Sequence, residues 1–202
     1  MIITKFTRHF DANRMAMFLF AGYSALATIG LIILSGKLAT VETVTRIVPY
    51  GADHAMLVGS RSASASYYKS WGMYISLELG NLTPYNTKFV EKQIMPLVSA
   101  QGYQKIKGGI QAEAASELSN DVVTTFTPEK LIWQPQTGTV FVNGDMREVS
   151  PNGKYTDGSN QTYQIQMSII SGLPKISSIR LYPGTPHTLA WMKYHPASKG
   201  SK

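Results

Sequence analysis

The chain has 202 residues, a formal net charge of +7 and no cysteine. Without cysteine there is no disulfide, no thiolate metal ligand and no cysteine nucleophile. The 19 basic residues form no stripe with interleaved aromatics, so their pattern does not favour direct nucleic-acid binding.

The first predicted element is an uncharged apolar stretch from Met15 to Leu34, which lies between Arg14 and Lys37. A helix of this length is about 30 Å long and matches the hydrocarbon core of a bilayer. We therefore predict a transmembrane helix over residues 15–36, after a cytoplasmic N-terminus of residues 1–14. The residues expected to anchor it in lipid are Met15, Phe18, Phe20, Tyr23, Leu26, Ile29, Leu31, Ile32, Ile33 and Leu34.

Two other interpretations of this stretch are a cleaved secretory signal and a buried core helix. A signal has an apolar centre of roughly 7–15 residues before a small-x-small cleavage site. The Ala-x-Ala sequence here, Ala25-Leu26-Ala27, instead lies in the middle of the stretch. A core helix would be apolar on one face only. More basic residues precede the stretch than closely follow it, which places the N-terminus in the cytoplasm and the rest of the chain outside.

Residues 37–61 carry Pro49, Gly51 and Gly59 without a hydrophobic period, and we predict a stalk there. A domain of residues 62–182 follows, and its first helix has one apolar face with the spacing Tyr68, Trp71, Ile75, Leu79 and Leu82.

A second helix is expected to begin at Thr83-Pro84 and to end near Pro96. A third begins near Tyr103 and is expected to bury Ile106, Ile110, Ala114 and Leu118. Glu113 and Glu117 on this third helix are predicted to be a solvated pair.

The hydrophobic period then changes from 3.6 to 2, which predicts strands over 124–133, 139–149, 162–169 and 175–182. Three of the ten prolines lie in residues 183–202, which we predict to be an extended tail. Helices followed by hairpin-connected strands indicate an α+β fold, with helices packed on one face of a four-stranded antiparallel sheet.

The domain shows no pattern of reactive residues. None of the four histidines lies in a predicted helix or strand of the domain, and no nucleotide-binding loop is present. Asp145 and Glu148 face opposite sides of one strand, and Glu78 lies beside the apolar face of the first helix. We therefore predict no catalytic, cofactor-binding or metal-binding residue, no cofactor and no enzymatic activity.

Aromatic residues are crowded on the first helix of the domain. Tyr68 and Trp71 are expected to enter the core, while Tyr67 and Tyr74 face elsewhere. Because Tyr and Trp are frequent in protein interfaces, a candidate subunit interface consists of Tyr67, Trp71 and Tyr74. Ordinary core and surface packing is the alternative.

The order of anchor, stalk, three helices and four strands resembles the TraE family of conjugative type IV secretion proteins. The resemblance covers Ala65 to Ile179, and the residues that carry it are Ala65-Ser66-Tyr67-Tyr68, Glu113-Ala114 to Asn120-Asp121, Val122 to Phe126, Trp133-Gln134-Pro135 with Gly138 and Val140, Asn143-Gly144, and Tyr163-Gln164-Ile165.

This resemblance implies a non-catalytic assembly component in the bacterial inner membrane, similar to the bitopic assembly factor of VirB-type systems. Its periplasmic domain would be cystatin-like, or nuclear-transport-factor-like. The implied partners are membrane lipid, other copies of the chain and other secretion channel subunits, in support of plasmid DNA transfer. The turn Ser171-Gly172-Leu173-Pro174 replaces the Asn-Pro-x-Gly turn of VirB-type relatives, so partner contacts at that turn do not carry over.

The same fold also supports a second hypothesis, a membrane-tethered periplasmic domain that binds a small ligand or acts as an enzyme. A buried Asp145, Glu148 or Glu78 that faces an open apolar cavity between sheet and helices would favour it.

Overall fold

A computed structural model of the protein describes residues 3–39, 45–47, 56–150 and 152–195. The chain divides into two compact units, Met1–Thr43 and Val44–Lys202. Helix α1, Ile3–Ala39, occupies the first unit and extends beyond the predicted span of 15–36 at both ends. No proline interrupts this sequence, so the helix continues through the polar residues on either side of the apolar stretch.

The second unit begins with a short antiparallel pair of strands, β1 (Thr45–Ile47) and β2 (Met56–Val58). Both strands lie inside residues 37–61, which the sequence predicts to be a stalk without regular structure. Three-residue strands are too short to show a hydrophobic period, so the pattern misses them.

Three helices follow: α2 (Ala65–Gly80), α3 (Thr87–Ile94) and α4 (Tyr103–Asn120). The predicted start of α3, with Thr83 as N-cap and Pro84 as the first helical residue, is wrong by three residues, because the N-cap is Asn86 and the helix begins at Thr87. The Asn86 N–H donates to Thr83 Oγ1 at 3.1 Å, and the Thr83 N–H donates to Asn86 Oδ1 at 2.7 Å. This reciprocal pair closes a turn over residues 83–86, which immediately precedes the helix.

The four long strands are β3 (Val123–Gln134), β4 (Thr139–Val149), β5 (Ser159–Ile170) and β6 (Leu173–Pro183). They form one antiparallel sheet in sequential order. The predicted α+β architecture is therefore confirmed. On β5 the alternating apolar residues Tyr163, Ile165, Met167 and Ile169 are all buried, as their period of two predicts.

Helix α2 approaches the sheet closely at two glycines. A Cβ added at Gly72 would lie 3.0 Å from the Cβ of Val140, and one added at Gly80 would lie 2.9 Å from the Cγ of Phe126. These distances are below normal van der Waals contact. The absence of side chains at both positions thus lets the helix lie directly on β3 and β4.

Each edge strand of the sheet has part of its outer edge interrupted or occupied. The register of β3 shifts between Pro128 and Lys130, and the Phe126 N–H donates to Asn81 Oδ1 at 3.3 Å. On the other edge, the Ser99 N–H donates to the Ile176 carbonyl of β6 at 2.8 Å. A proline and a bulge are typical devices for interrupting an exposed strand edge.

The predicted extended tail is wrong over residues 184–194, which dock on the sheet and end in helix α5 (Leu189–Tyr194). The Gly184 carbonyl accepts hydrogen bonds from Asn143 Nδ2 at 3.1 Å and from Thr162 Oγ1 at 2.6 Å. The Leu189 N–H donates to Gln134 Oε1 at 2.8 Å. Asn143, Thr162 and Gln134 are all buried, so the docked tail adds hydrogen bonds to polar side chains inside the domain.

Candidate functional site

The aromatic cluster on α2 is held by edge-to-face ring contacts. The Tyr67 and Trp71 rings lie 6.2 Å apart at 73°, and the Trp71 and Tyr74 rings lie 5.8 Å apart at 84°. Such contacts restrain each ring through its neighbours. The neighbouring Tyr68 is buried, as predicted, and stacks on Trp133 of β3 with 3.9 Å between ring centroids.

One of the predicted orientations on α2, that of Tyr67, is wrong, and that of Trp71 is confirmed only in part. Tyr67 does not face outward: it is only 8% exposed, and its hydroxyl donates to the Gly172 carbonyl at 2.9 Å. Trp71 packs against the core, as predicted, but is only half-buried. Tyr67 therefore fixes the start of α2 to the β5–β6 turn, while Trp71 and Tyr74 keep part of their rings accessible.

The accessible parts of these rings contribute to a groove of about 510 Å³ on the domain surface. We call it the α2 groove; its lining residues are Met56, Tyr67, Ser70, Trp71, Tyr74, Gln93 and Leu97. All of them are uncharged at neutral pH. The groove presents apolar and aromatic surface suited to binding another apolar surface.

The Tyr74 hydroxyl has a pKa raised above its usual value, chiefly by burial and further by the negative charge of Glu78. Tyr74 is therefore protonated at neutral pH and remains available as a hydrogen-bond donor beside the groove.

A second cavity, of about 240 Å³, lies between helices and sheet. Its lining residues are Leu79, Leu82, Lys105, Ile106, Gly109, Ile110, Glu113, Tyr163, Ile179 and Leu181. Burial raises the pKa of Tyr163, and the charges of Glu113 and Glu117 raise it further. The Tyr163 hydroxyl is thus a poor proton donor to a base at neutral pH.

The three carboxylates proposed as markers of an enzyme, Glu78, Asp145 and Glu148, do not line this cavity. Asp145 pairs with Arg147 at 2.6 Å between Oδ2 and Nε, and Glu148 is exposed. The carboxylate that does line the cavity is Glu113, one helical turn from Glu117.

Glu117 is the functional candidate that the sequence interpretation missed. The predicted solvated pair is wrong at this position, because Glu117 is 3% exposed while Leu118, predicted to be buried, is 68% exposed. Glu117 lies seven residues after Ile110, so it falls on the buried stripe as naturally as Leu118 does. The spacing from Ile110 could have predicted that Glu117 is buried. Because Glu117 is charged, the sequence interpretation placed it in solvent instead.

The Glu117 carboxylate has one satisfied and one unsatisfied oxygen. Oε1 accepts the Thr124 N–H at 2.7 Å, whereas Oε2 is buried and has no hydrogen-bond partner within the described part of the chain. Burial raises the pKa of Glu117, and Glu113 adds to the increase, while the hydrogen bonds from Thr124 oppose it. An unpaired buried carboxylate oxygen is costly, so Glu117 favours a proton or a cation beside it.

Within the described ranges 3–39, 45–47, 56–150 and 152–195, there is no group of three His, Cys, Asp or Glu side chains that could hold a metal ion. His187 and His195 instead stack on the two faces of Trp191, at 3.9 Å and 4.4 Å between ring centroids. Of the remaining histidines, the His9 side chain and His54 lie outside the described residues.

The segment Arg14–Gly36 of α1 is long and apolar enough to cross a membrane, with a mean hydropathy of 2.1. Each of the ten predicted anchor residues is more than half exposed. An all-round apolar, exposed helix of this kind is suited to lipid contact.

Comparisons with known proteins point to one group. A family model described as TraE protein matches residues 2–181. The structure is similar to the periplasmic domain of DotI, at 15% identity and a TM-score of 0.53, over 62% of this chain and 100% of that one. It is also similar to a TrwG component of a type IV secretion system from Bartonella birtlesii, at 13% identity and a TM-score of 0.51, over 63% of this chain and 98% of that one.

A third similar structure is a TraE protein in complex with 2-(2-furyl)isonicotinic acid, at 9% identity and a TM-score of 0.50, over 61% of this chain and 99% of that one. At these identities the structures share the fold. No curated protein matches the chain.

Proposed function

The chain belongs to the TraE family, and from that membership we propose that it is a non-catalytic assembly component of a conjugative type IV secretion system. It would associate with other copies of itself and with other channel subunits in the inner membrane. Its part in plasmid DNA transfer would be structural, without direct contact to nucleic acid.

The observation that carries this proposal is the α2 groove. Its accessible Trp71 and Tyr74 rings are held in place by neighbouring aromatics, which lowers the entropy lost on binding a partner. Because its lining residues are uncharged and none is a nucleophile poised beside a base, the groove suits recognition more than catalysis.

The arrangement along the chain supports the same role. We propose that residues 15–36 cross the inner membrane with residues 1–14 in the cytoplasm, and that the domain beginning near residue 62 is periplasmic. Residues 37–61 would connect the two, with the β1–β2 pair at the domain side. Copies tethered in one membrane have a high local concentration, so weak contacts between their domains suffice for assembly.

The competing hypothesis of a tethered ligand-binding or catalytic domain has one supporting observation, the cavity of about 240 Å³. A similar TraE protein binds 2-(2-furyl)isonicotinic acid. In this chain, however, none of Glu78, Asp145 and Glu148 lines the cavity, so the condition set for an enzyme at these residues is not met. We therefore favour the assembly role.

The test is to extract the full-length protein in mild detergent from cells that carry the whole transfer locus. Its mass is measured by light scattering, and the proteins that accompany it are identified. We expect an oligomer together with secretion subunits, and we expect Trp71→Ala with Tyr74→Ala to reduce both.

The matched control is Tyr194→Ala, which removes an exposed aromatic ring far from the α2 groove in the sequence. This control should behave as wild type. A monomeric wild-type protein without companions, in cells whose conjugation survives deletion of the gene, would refute the proposal.

A further inference from the structure

A pocket of about 270 Å³ lies where the end of α4 meets β3 and β4. We call it the α4 pocket; its lining residues are Pro84, Tyr85, Glu117, Leu118, Asp121, Val122, Val123, Val149 and Ser150. It shares no lining residue with the α2 groove. The two are therefore separate surfaces of one domain.

The α4 pocket carries two carboxylates and no basic residue among its lining residues. Glu117 is only 3% exposed, and its Oε2 has no hydrogen-bond partner in the described part of the chain. Asp121 follows four residues later, one helical turn along the chain, at the left-handed C-cap of α4. A buried oxygen without a partner beside a second negative charge favours a cationic group.

The rim of the α4 pocket has the composition of a protein-binding site. Tyr85 is 95% exposed and Leu118 is 68% exposed, so both present apolar surface to a partner. An aromatic ring beside carboxylates also suits an ammonium or guanidinium group, through attraction to the ring face. The expected occupant is thus a basic side chain of a protein.

A second copy of this chain can supply that side chain. The chain has 19 basic and 12 acidic residues, so most of its surface charge repels another copy and its acidic sites are where copies can meet favourably. Lys154 is exposed, and its backbone carbonyl accepts the N–H of Ser150, a lining residue of the α4 pocket, at 3.0 Å. Acceptor and donor therefore lie on the same patch, as a two-fold contact requires.

We propose that the α4 pocket receives the Lys154 side chain of a second copy, with the ammonium group beside Glu117 and Asp121. This inference rests on the proposed self-association and adds a second contact to it. One two-fold contact alone gives only dimers, whereas two distinct contacts on one chain extend the assembly beyond the dimer.

The first experiment measures the mass of the full-length protein in detergent by light scattering, over a range of protein and salt concentrations. Glu117→Gln keeps the shape and one carbonyl oxygen for the Thr124 N–H, and Asp121→Asn suits the left-handed cap. We expect these variants and Lys154→Gln to need about tenfold more protein to form species larger than the dimer. Added salt should have the same effect on wild type.

The outcomes separate this inference from the proposed function. If wild type forms large species that Trp71→Ala reduces but the Glu117, Asp121 and Lys154 variants do not, the α4 pocket proposal is overturned and the assembly role stands. If the wild-type protein never self-associates, both the α4 pocket proposal and the proposed self-association are refuted. If Glu117→Gln alone alters assembly while Lys154→Gln has no effect, Lys154 is not the occupant and the proposal also falls.

The second experiment uses the absence of cysteine from the chain. Two differently tagged copies, one with Leu118→Cys and one with Tyr155→Cys, are expressed together in membranes and oxidised. We expect a disulfide-linked pair that is lost when Lys154→Gln is added to both copies. Lys130→Cys, exposed on β3, replaces Tyr155→Cys as the control and should not cross-link. Equal cross-linking by the control would overturn the proposal.

Discussion

Replacing Gly72 by alanine tests how α2 packs on the sheet, because this glycine lies directly over Val140 of β4. An added Cβ would lie 3.0 Å from the Val140 Cβ and closer to one of its methyl groups. Val140 is fully buried in a central strand. Neither residue can move away without separating the helix from the sheet.

Two opposing effects determine how much Gly72→Ala changes the free energy of unfolding. Alanine is favoured over glycine inside a helix by about 1 kcal/mol. Overpacking a well-packed core costs about 1–3 kcal/mol, and contact with the base of a fixed side chain places this case near the upper end. We therefore expect Gly72→Ala to lower the free energy of unfolding by about 1–2 kcal/mol.

Gly108 of α4 is the matched control, since a Cβ added there meets nothing within 4 Å. Gly108→Ala keeps the helix-propensity gain without the clash, so it should raise the free energy of unfolding by about 1 kcal/mol. The two substitutions are chemically identical and should act in opposite directions.

Urea unfolding followed by tryptophan fluorescence measures both variants in the full-length protein in detergent. All three tryptophans, at positions 71, 133 and 191, belong to the second unit, so the signal excludes α1. Shifts of the urea midpoint in the same direction for Gly72→Ala and Gly108→Ala would refute the close-packing argument.

Two further predictions concern buried polar residues. The raised pKa of Glu117 means that the folded state binds its proton more tightly than the unfolded state does. Stability from this group is therefore fully present below pH 4.5, its ordinary pKa, and is lost as the pH rises through the folded value. Thermal unfolding between pH 4 and 7 should show this loss in wild type and a flatter profile in Glu117→Gln; equal slopes would contradict it. Asn143→Ala removes a hydrogen bond to the Gly184 carbonyl together with those to Asn160, Gln161 and Thr162, and it should cost about 1–3 kcal/mol in urea unfolding. It should also speed proteolytic removal of α5, and an unchanged cleavage rate would show that the tail docks without Asn143.

The strands were predictable from sequence because each carries a local signal. On β5 the alternation from Tyr163 to Ile169 marks both the element and its buried face, and β4 has the predicted bounds of Thr139 and Val149. The stripe of α4 was also recognisable, apart from the exchange of Glu117 and Leu118. Hydrophobic period is a property of neighbouring residues, so it can be read without knowing the fold.

The wrong predictions depend on contacts between distant parts of the chain. The Tyr67 hydroxyl donates a hydrogen bond to the Gly172 carbonyl, 105 residues later in the chain. The tail is held in a similar way, because the Leu189 N–H donates to Gln134, 55 residues earlier. No periodic pattern encodes such partners. The three aromatics that the sequence marks as a candidate interface, Tyr67, Trp71 and Tyr74, all line the α2 groove, and their role in a subunit contact stays a prediction.

The interrupted edge of β3 has a consequence for a protein concentrated in the plane of a membrane. Neighbouring domains with unpaired strand edges would pair edge to edge through backbone hydrogen bonds, whatever their side chains. Such pairing can continue from one domain to the next without limit. Pro128, the register shift after it and the occupied Phe126 N–H remove that route on this edge. In the assembly that we propose, contacts along this edge would therefore depend on side chains, so single substitutions could change the geometry and number of the copies.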